Sequence, residues 1–142
     1  MVRYRHTQVG YLTIAMMAAA IVLILALMIS IGIQAIAAGV LVFIIAALYL
    51  FSSLTVIIDD EYLEARFGPG LVKKRILLRD IESAQAVRNH WYNGWGIRGI
   101  PGGWMYNVSG LSAVEITLKN GTHFRIGTDA PQELESAIQD SI

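Results

Sequence analysis

From His6 to Ile58 the chain contains no Asp, Glu, Lys or Arg, and the tract is built almost wholly of Ala, Ile, Leu, Val, Met and Gly. A helix rises about 1.5 Å per residue, so about 20 apolar residues cross a hydrocarbon layer of about 30 Å. The tract is long enough for two such crossings. Tyr11 to Ser30 reads as the first span and Ala35 to Leu54 as the second, with Ser30, Gly32 and Gln34 where the chain must reverse. A cleaved signal peptide is the competing reading, because Arg3 and Arg5 form a positive leading segment. Its apolar region normally holds about 7–15 residues, however, and here a second apolar run follows at once.

Two crossings return the chain to its starting side. Arg3 and Arg5, with Arg66, Lys73 and Lys74 beyond the second span, favour a cytoplasmic location for both ends. The expected organisation is therefore a cytoplasmic tail over 1–10, a transmembrane helical hairpin over 11–54 and a cytoplasmic domain over 55–142. The localisation expected is the inner (cytoplasmic) membrane, as a multi-pass integral protein in contact with the lipid bilayer. Tyr4, Tyr11, Tyr49 and Phe51 would gather at one interface, as aromatic belts do. Nine of the eleven basic residues and all eleven acidic ones fall after the apolar tract, so the polar part is slightly acidic. Nucleic acid is a poor partner for such a surface. The absence of cysteine excludes disulfides and thiolate metal sites.

Beyond the tract the periodicity is mostly two. Tyr62 to Phe67 alternates, setting Leu63, Ala65 and Phe67 on one face, and Gly68-Pro69-Gly70-Leu71 reads as a type II turn. Val72 to Arg79 and Ile81 to Arg88 read as two further strands. Ser112 to Leu118 and Thr122 to Gly127 form a hairpin whose register can be deduced. A two-residue Asn120-Gly121 turn would pair Thr117 with Phe124 and mix the faces. A three-residue Lys119-Asn120-Gly121 loop, with Gly121 left-handed, pairs Ile116 with Phe124, Val114 with Ile126, and Glu115 with Arg125. The chain closes on a helix, with Asp129 as N-cap, Gln132 three residues on, Pro131 in the first turn, and Leu134, Ala137 and Ile138 on one face.

Thr55-Val56-Ile57-Ile58-Asp59 runs straight out of a span, Asp60-Glu61-Tyr62-Leu63 makes the first turn, and Ile76…Arg79-Asp80-Ile81 steps between strands. With GWGIR…GWMYNVSG and AVEITLKNGTHFRIGTD, this pattern over about residues 54–140 resembles the bacterial pleckstrin-homology-like membrane proteins. The resemblance implies an α+β membrane protein. A two-helix transmembrane hairpin would lead into a PH-like antiparallel β-barrel or sandwich of about seven strands, capped by the C-terminal helix. It also implies a binding or scaffolding role. Eukaryotic relatives bind phosphoinositides through basic residues around the first strand–turn–strand, where this chain has Asp59-Asp60-Glu61.

Gly94-Trp95-Gly96-Ile97-Arg98-Gly99 satisfies G-x-G-x-x-G, but Ile100-Pro101-Gly102-Gly103 follows where the dinucleotide fingerprint needs a helix. His6, His90 and His123 lack metal-ligand spacing, and Ser109 lacks a nucleophile's context. No catalytic residue, cofactor site or metal site is therefore expected. The aromatic segment from 90 to 110 is the candidate partner-binding surface, through Trp91, Trp95, Arg98, Trp104 and Tyr106. The same tryptophans could instead cover the mouth of a small barrel or dip into the lipid interface. Lys73, Lys74 and Arg75 form the one basic cluster, a candidate lipid-facing strand, although alternation sends Lys74 to the face opposite Lys73 and Arg75. The expected function is a non-catalytic membrane-anchored binding or scaffold module, contacting another protein or a second copy of itself. An anionic-lipid sensor acting through the basic strand is the alternative.

Overall fold

The computed structural model describes residues 1–142, the Asn93 side chain excepted. Strand β1 (Tyr4–Val9) leads into helices α1 (Tyr11–Ile31) and α2 (Ala35–Phe51). Eight strands follow: β2 (Ser53–Ile58), β3 (Tyr62–Phe67), β4 (Val72–Leu77), β5 (Ile81–Arg88), β6 (Gly96–Ile100), β7 (Gly103–Asn107), β8 (Ser112–Leu118) and β9 (His123–Gly127). Helix α3 (Pro131–Gln139) ends the fold. The strands make two sheets, one ordered β1-β2-β3-β4 and the other β5-β8-β9-β7-β6. All pairs are antiparallel except β7 with β9, so the second sheet is mixed. The fold is thus α+β, but with nine strands rather than about seven and no closed barrel.

Residues 1–10 are not simply a tail. β1 pairs with β2 from Val9↔Ser53 to Tyr4↔Ile58, so the two apolar helices occupy the place of a hairpin loop between adjacent strands. The polar run Arg5-His6-Thr7-Gln8 carries no alternating apolar signal, which is why this edge strand is hidden in the sequence. The second helix also stops earlier than expected, at Phe51 instead of Leu54. Beyond it the β-branched run Thr55-Val56-Ile57-Ile58 favours extended backbone, and Leu54, Val56 and Ile58 are buried in the β core. A hydropathy run marks residues that avoid water without saying whether lipid or protein covers them.

The core lies between the sheets. Leu63, Ala65 and Phe67 of β3 share one face as their alternation requires, and face Val114, Ile116, Phe124 and Ile126 of the other sheet, with Leu134 and Ile138 of α3 completing the cluster. An aromatic series crosses it: Phe51 at the end of α2 meets Phe67 at 4.9 Å, Phe67 meets Tyr106 at 4.9 Å, and Tyr106 meets Phe124 at 5.1 Å. The base of the helices is therefore packed directly onto the domain's interior.

The β8–β9 loop has the deduced register, with Ile116↔Phe124, Val114↔Ile126 and Glu115↔Arg125. Gly121 sits at φ 90°, and Arg125 Nη2 donates to Glu115 Oε1 at 2.8 Å. The β3–β4 turn closes one residue earlier than a type II turn on Gly68-Pro69-Gly70-Leu71 would, since the Gly70 N–H donates to Phe67 O at 2.9 Å. The strand expected over 72–79 ends at Leu77, where Leu78–Asp80 form a 3-10 turn that buries Leu78. Asp129 does not cap α3, whose N-cap is Ala130. It lies 2.5 Å from His6 Nε2 instead, tying β1 to the start of α3. α3 in turn guards the free edge of β5: Glu135 accepts the Ala86 N–H, and Gln139 Nε2 donates to Ala84 O at 3.2 Å. A covered edge cannot recruit another strand.

Candidate functional site

Strand direction divides the domain into two ends. β1 finishes and β2 begins at the base of the helices. The Gly68–Leu71 turn, the end of β5, the Asn107–Leu111 connection and the end of β9 all meet that same end, through Gly68 N–H to Ser53 O at 2.9 Å, Asn89 N–H to Leu111 O at 2.6 Å and Thr128 N–H to Ser112 O at 3.0 Å. The Asn107–Leu111 connection is bound to α1 and β1, because Thr13 Oγ1 donates to Val108 O at 2.5 Å and Gln8 Nε2 to Ser109 O at 3.2 Å. We call this the proximal end. The distal end holds the Asp59–Glu61 turn, the 3-10 turn and the Lys119–Gly121 loop, joined by Leu78 N–H to Glu61 O and Lys119 N–H to Asp80 O, each at 2.9 Å.

The two ends differ in chemistry. The proximal end exposes large apolar side chains: Leu71 is 77% exposed, Trp91 75% and Tyr92 65%, and Tyr11 and Tyr49 stand exposed near the helix bases. The distal end is charged. Asp60 there accepts from the N-terminal ammonium and from Arg3 Nε, each at 2.9 Å, and these partners hold its carboxyl below the usual carboxylate range. A concavity of about 550 Å³ at this end is lined by both signs of charge, including Asp60, Glu61, Arg79 and Lys119.

The five candidate partner-binding residues do not form one patch. Within residues 90–110, β6 and β7 pair as a hairpin whose Pro101-Gly102 turn holds Gly102 at φ 82°. The G-x-G-x-x-G run continues into strand β6, so no helix N-terminus is available to a pyrophosphate there. Trp104 and Tyr106 point into a cleft of about 270 Å³ with Ile97, Phe124 and Lys74. Trp104 is 60% exposed, so it does not seal the sandwich. Trp95 and Arg98 belong to a second groove of about 370 Å³ against the helices, shared with Thr13, Met16, Met17, Ala47 and Phe51. Trp91 stands apart from both, packed edge-on to Tyr92 at 6.0 Å.

The basic cluster is divided as well. Register sets Arg75 opposite Glu64, and Arg75 Nε donates to Glu64 Oε2 at 2.6 Å while its guanidinium lies 4.5 Å from the Tyr62 ring centre. The Glu64 carboxylate raises the Arg75 pKa, so this arginine is held as an ion pair within the sheet. Lys73 opposes Arg66 on the outer face, and Lys74 opposes Ala65 on the inner face, at the mouth of the cleft. No three-point basic surface results. Among the described residues no group of three or more His, Cys, Asp or Glu is placed to hold a metal ion.

Sequence reasoning did not find Ile97, which lines both concavities, nor Met16 and Met17, which look like any other span residues. Phe124 is legible as inward-facing, but its access to the cleft depends on where the two sheets part. β4 and β6 are outermost strands with no further neighbour, and both carry mostly exposed residues. No protein-family model matches the chain, and no curated protein matches it.

Proposed function

We propose that the protein is a non-catalytic, membrane-anchored module with a PH-like domain, which binds an extended segment of a partner protein in the cleft between β4 and β6. One observation carries the reading. Two outermost strands, β4 and β6, border an apolar cleft floored by Trp104, Tyr106 and Phe124, whereas the β5 edge is covered by α3 and the β1 edge lies outside the cleft. An added strand would satisfy the open N–H and C=O groups of an edge, while alternate side chains enter the aromatic floor. Lys74 at the mouth favours an acidic or C-terminal carboxylate neighbour in that segment.

The anchor follows from α1 and α2. α1 is long and apolar enough to cross a membrane, and none of it is buried in protein, so it is not the core helix of a water-soluble fold. α2 has 17 residues, about 25 Å of helix, close to the shorter limit for a crossing. Because β1 and β2 are paired, both ends of the hairpin are tied to one place, which supports a two-pass arrangement with the domain and the N-terminus on one side. Cleavage after α1 would also strip β1 from the sheet. Arg3 and Arg5 favour the cytoplasm for that side.

A photoreactive residue replacing Trp104 in native membranes tests the cleft, with the same residue at Asn120 of the distal turn as control. The expected result is a defined crosslinked protein from position 104 alone, competed by a peptide of the captured segment. Lipid alone, or the same species from both positions, contradicts it. Capture of a second copy would make the partner this chain itself.

A further inference from the structure

The groove between the helices and the β6–β7 hairpin has a composition that selects an occupant. Its lower wall is Met16, Met17, Ala47 and Phe51, all from the apolar helices. Its upper wall is Trp95 to Arg98, where Arg98 is the one charged residue lining it. The other polar groups there are already committed. Thr13 Oγ1 donates to Val108 O at 2.5 Å, Trp95 Nε1 to Gly110 O at 3.2 Å, and Asn107 Nδ2 to the same carbonyl at 3.2 Å, while Asn107 Oδ1 accepts the Ser109 N–H at 3.3 Å. Arg98 gives its Nε hydrogen to Trp95 O at 3.0 Å, a bond that fixes the guanidinium against Gly94 and directs no charge partner to it. Among the described residues no carboxylate forms an ion pair with Arg98.

We infer that this groove is a binding site for one anionic glycerophospholipid of the surrounding bilayer. The volume of about 370 Å³ lies within the range of small-ligand sites. An acyl chain fits the methionine-lined wall, running along the helices as bilayer chains do. The phosphate meets the terminal N–H groups of Arg98, which present the fork that suits a phosphate oxygen pair. A zwitterionic lipid brings its own cation to that position and loses the advantage. A neutral apolar ligand would leave the guanidinium unmatched. The site is distinct from the β4–β6 cleft and rests only on the membrane placement of α1 and α2 proposed above.

The test uses the full chain with Trp91→Phe and Trp104→Phe, which leaves Trp95 on the groove wall as the sole tryptophan, in phosphatidylcholine nanodiscs. Phosphatidylglycerol with brominated chains is compared with brominated phosphatidylcholine at equal, low mole fraction. The phosphatidylglycerol should be about fivefold more effective at quenching Trp95, as one basic residue near a membrane surface warrants. Arg98→Gln should abolish that preference, and Lys73→Gln with Lys74→Gln should leave it intact. Equal quenching by both lipids in the parent protein, or a preference that survives Arg98→Gln, overturns the site and leaves the membrane placement standing. Absence of quenching by either lipid overturns both.

Discussion

The two ends of the β-sandwich are built from the same turn-forming residues yet face different surroundings. At the proximal end the Gly68 turn presses on the last turn of α2, where a Cβ would sit 2.7 Å from Leu50 O and 2.8 Å from Tyr49 O. At the distal end Gly121 also has positive φ, but a Cβ there would meet nothing within 4 Å. One glycine is needed for space and conformation together, the other for conformation alone. The contrast extends to side chains, with Leu71, Trp91 and Tyr92 exposed at one end and Asp60 and Glu61 at the other. That polarity suits the proposed placement of the domain on a bilayer by its proximal end, because tryptophan and tyrosine are stable at the water–lipid boundary.

The largest expected effect comes from Gly68→Val, which forces a β-branched residue to φ 47° and drives its side chain into two helix carbonyls. A loss of at least about 3 kcal/mol is expected, read from thermal unfolding of the full chain in micelles. Gly121→Ala should cost only about 1 kcal/mol in the same measurement. Equal costs would remove the structural difference between the ends. Smaller still is Leu71→Asp, whose side chain is exposed and should change stability in micelles by less than about 0.5 kcal/mol. Its effect belongs to the bilayer: with Trp91 as the sole tryptophan, emission in nanodiscs should shift to the red when Leu71 becomes Asp. If Trp91 already emits as a water-exposed indole without that substitution, the proximal end does not touch lipid.

The smallest effect concerns pH at the distal end. The N-terminal ammonium and Arg3 hold Asp60 below its ordinary carboxylate range, so the folded pKa is lower than the unfolded one. The contribution is present above the unfolded value, about 4, and fades as pH falls through the lowered folded value. Hydrogen exchange at the Arg3 amide, which donates to Ile58 O at 2.7 Å, reports the docking of β1 there. Its protection should weaken in acid in the parent protein, and should already be weaker at pH 7 in Asp60→Asn.

Much of the β architecture is legible in the sequence because each face declares itself. The register of Ser112–Leu118 against His123–Gly127 follows from keeping Val114, Ile116, Phe124 and Ile126 on one side, and the Glu115–Arg125 pair follows from that register. β1 is not legible, because its partner lies beyond both helices and its side chains are polar. The end of α2 is blurred for the opposite reason, since span and core residues form one unbroken apolar run. The candidate surface is half legible. The aromatic content of residues 90–110 marks the region, but whether Trp95 joins Trp104 depends on which end of the β6–β7 hairpin each occupies. Strand direction places Trp95 near the helices and Trp104 in the cleft.

The most direct measurement is two-sided labelling of single cysteines, which the cysteine-free chain permits without a background substitution. Ile33→Cys marks the tip of the helical hairpin, and Asn120→Cys the distal turn of the domain. In sealed vesicles of known orientation, an impermeant maleimide should reach residue 33 from one face only and residue 120 from the opposite face only. Labelling of both positions from the same face would contradict a hairpin that crosses the bilayer and stands the β-sandwich on its proximal end.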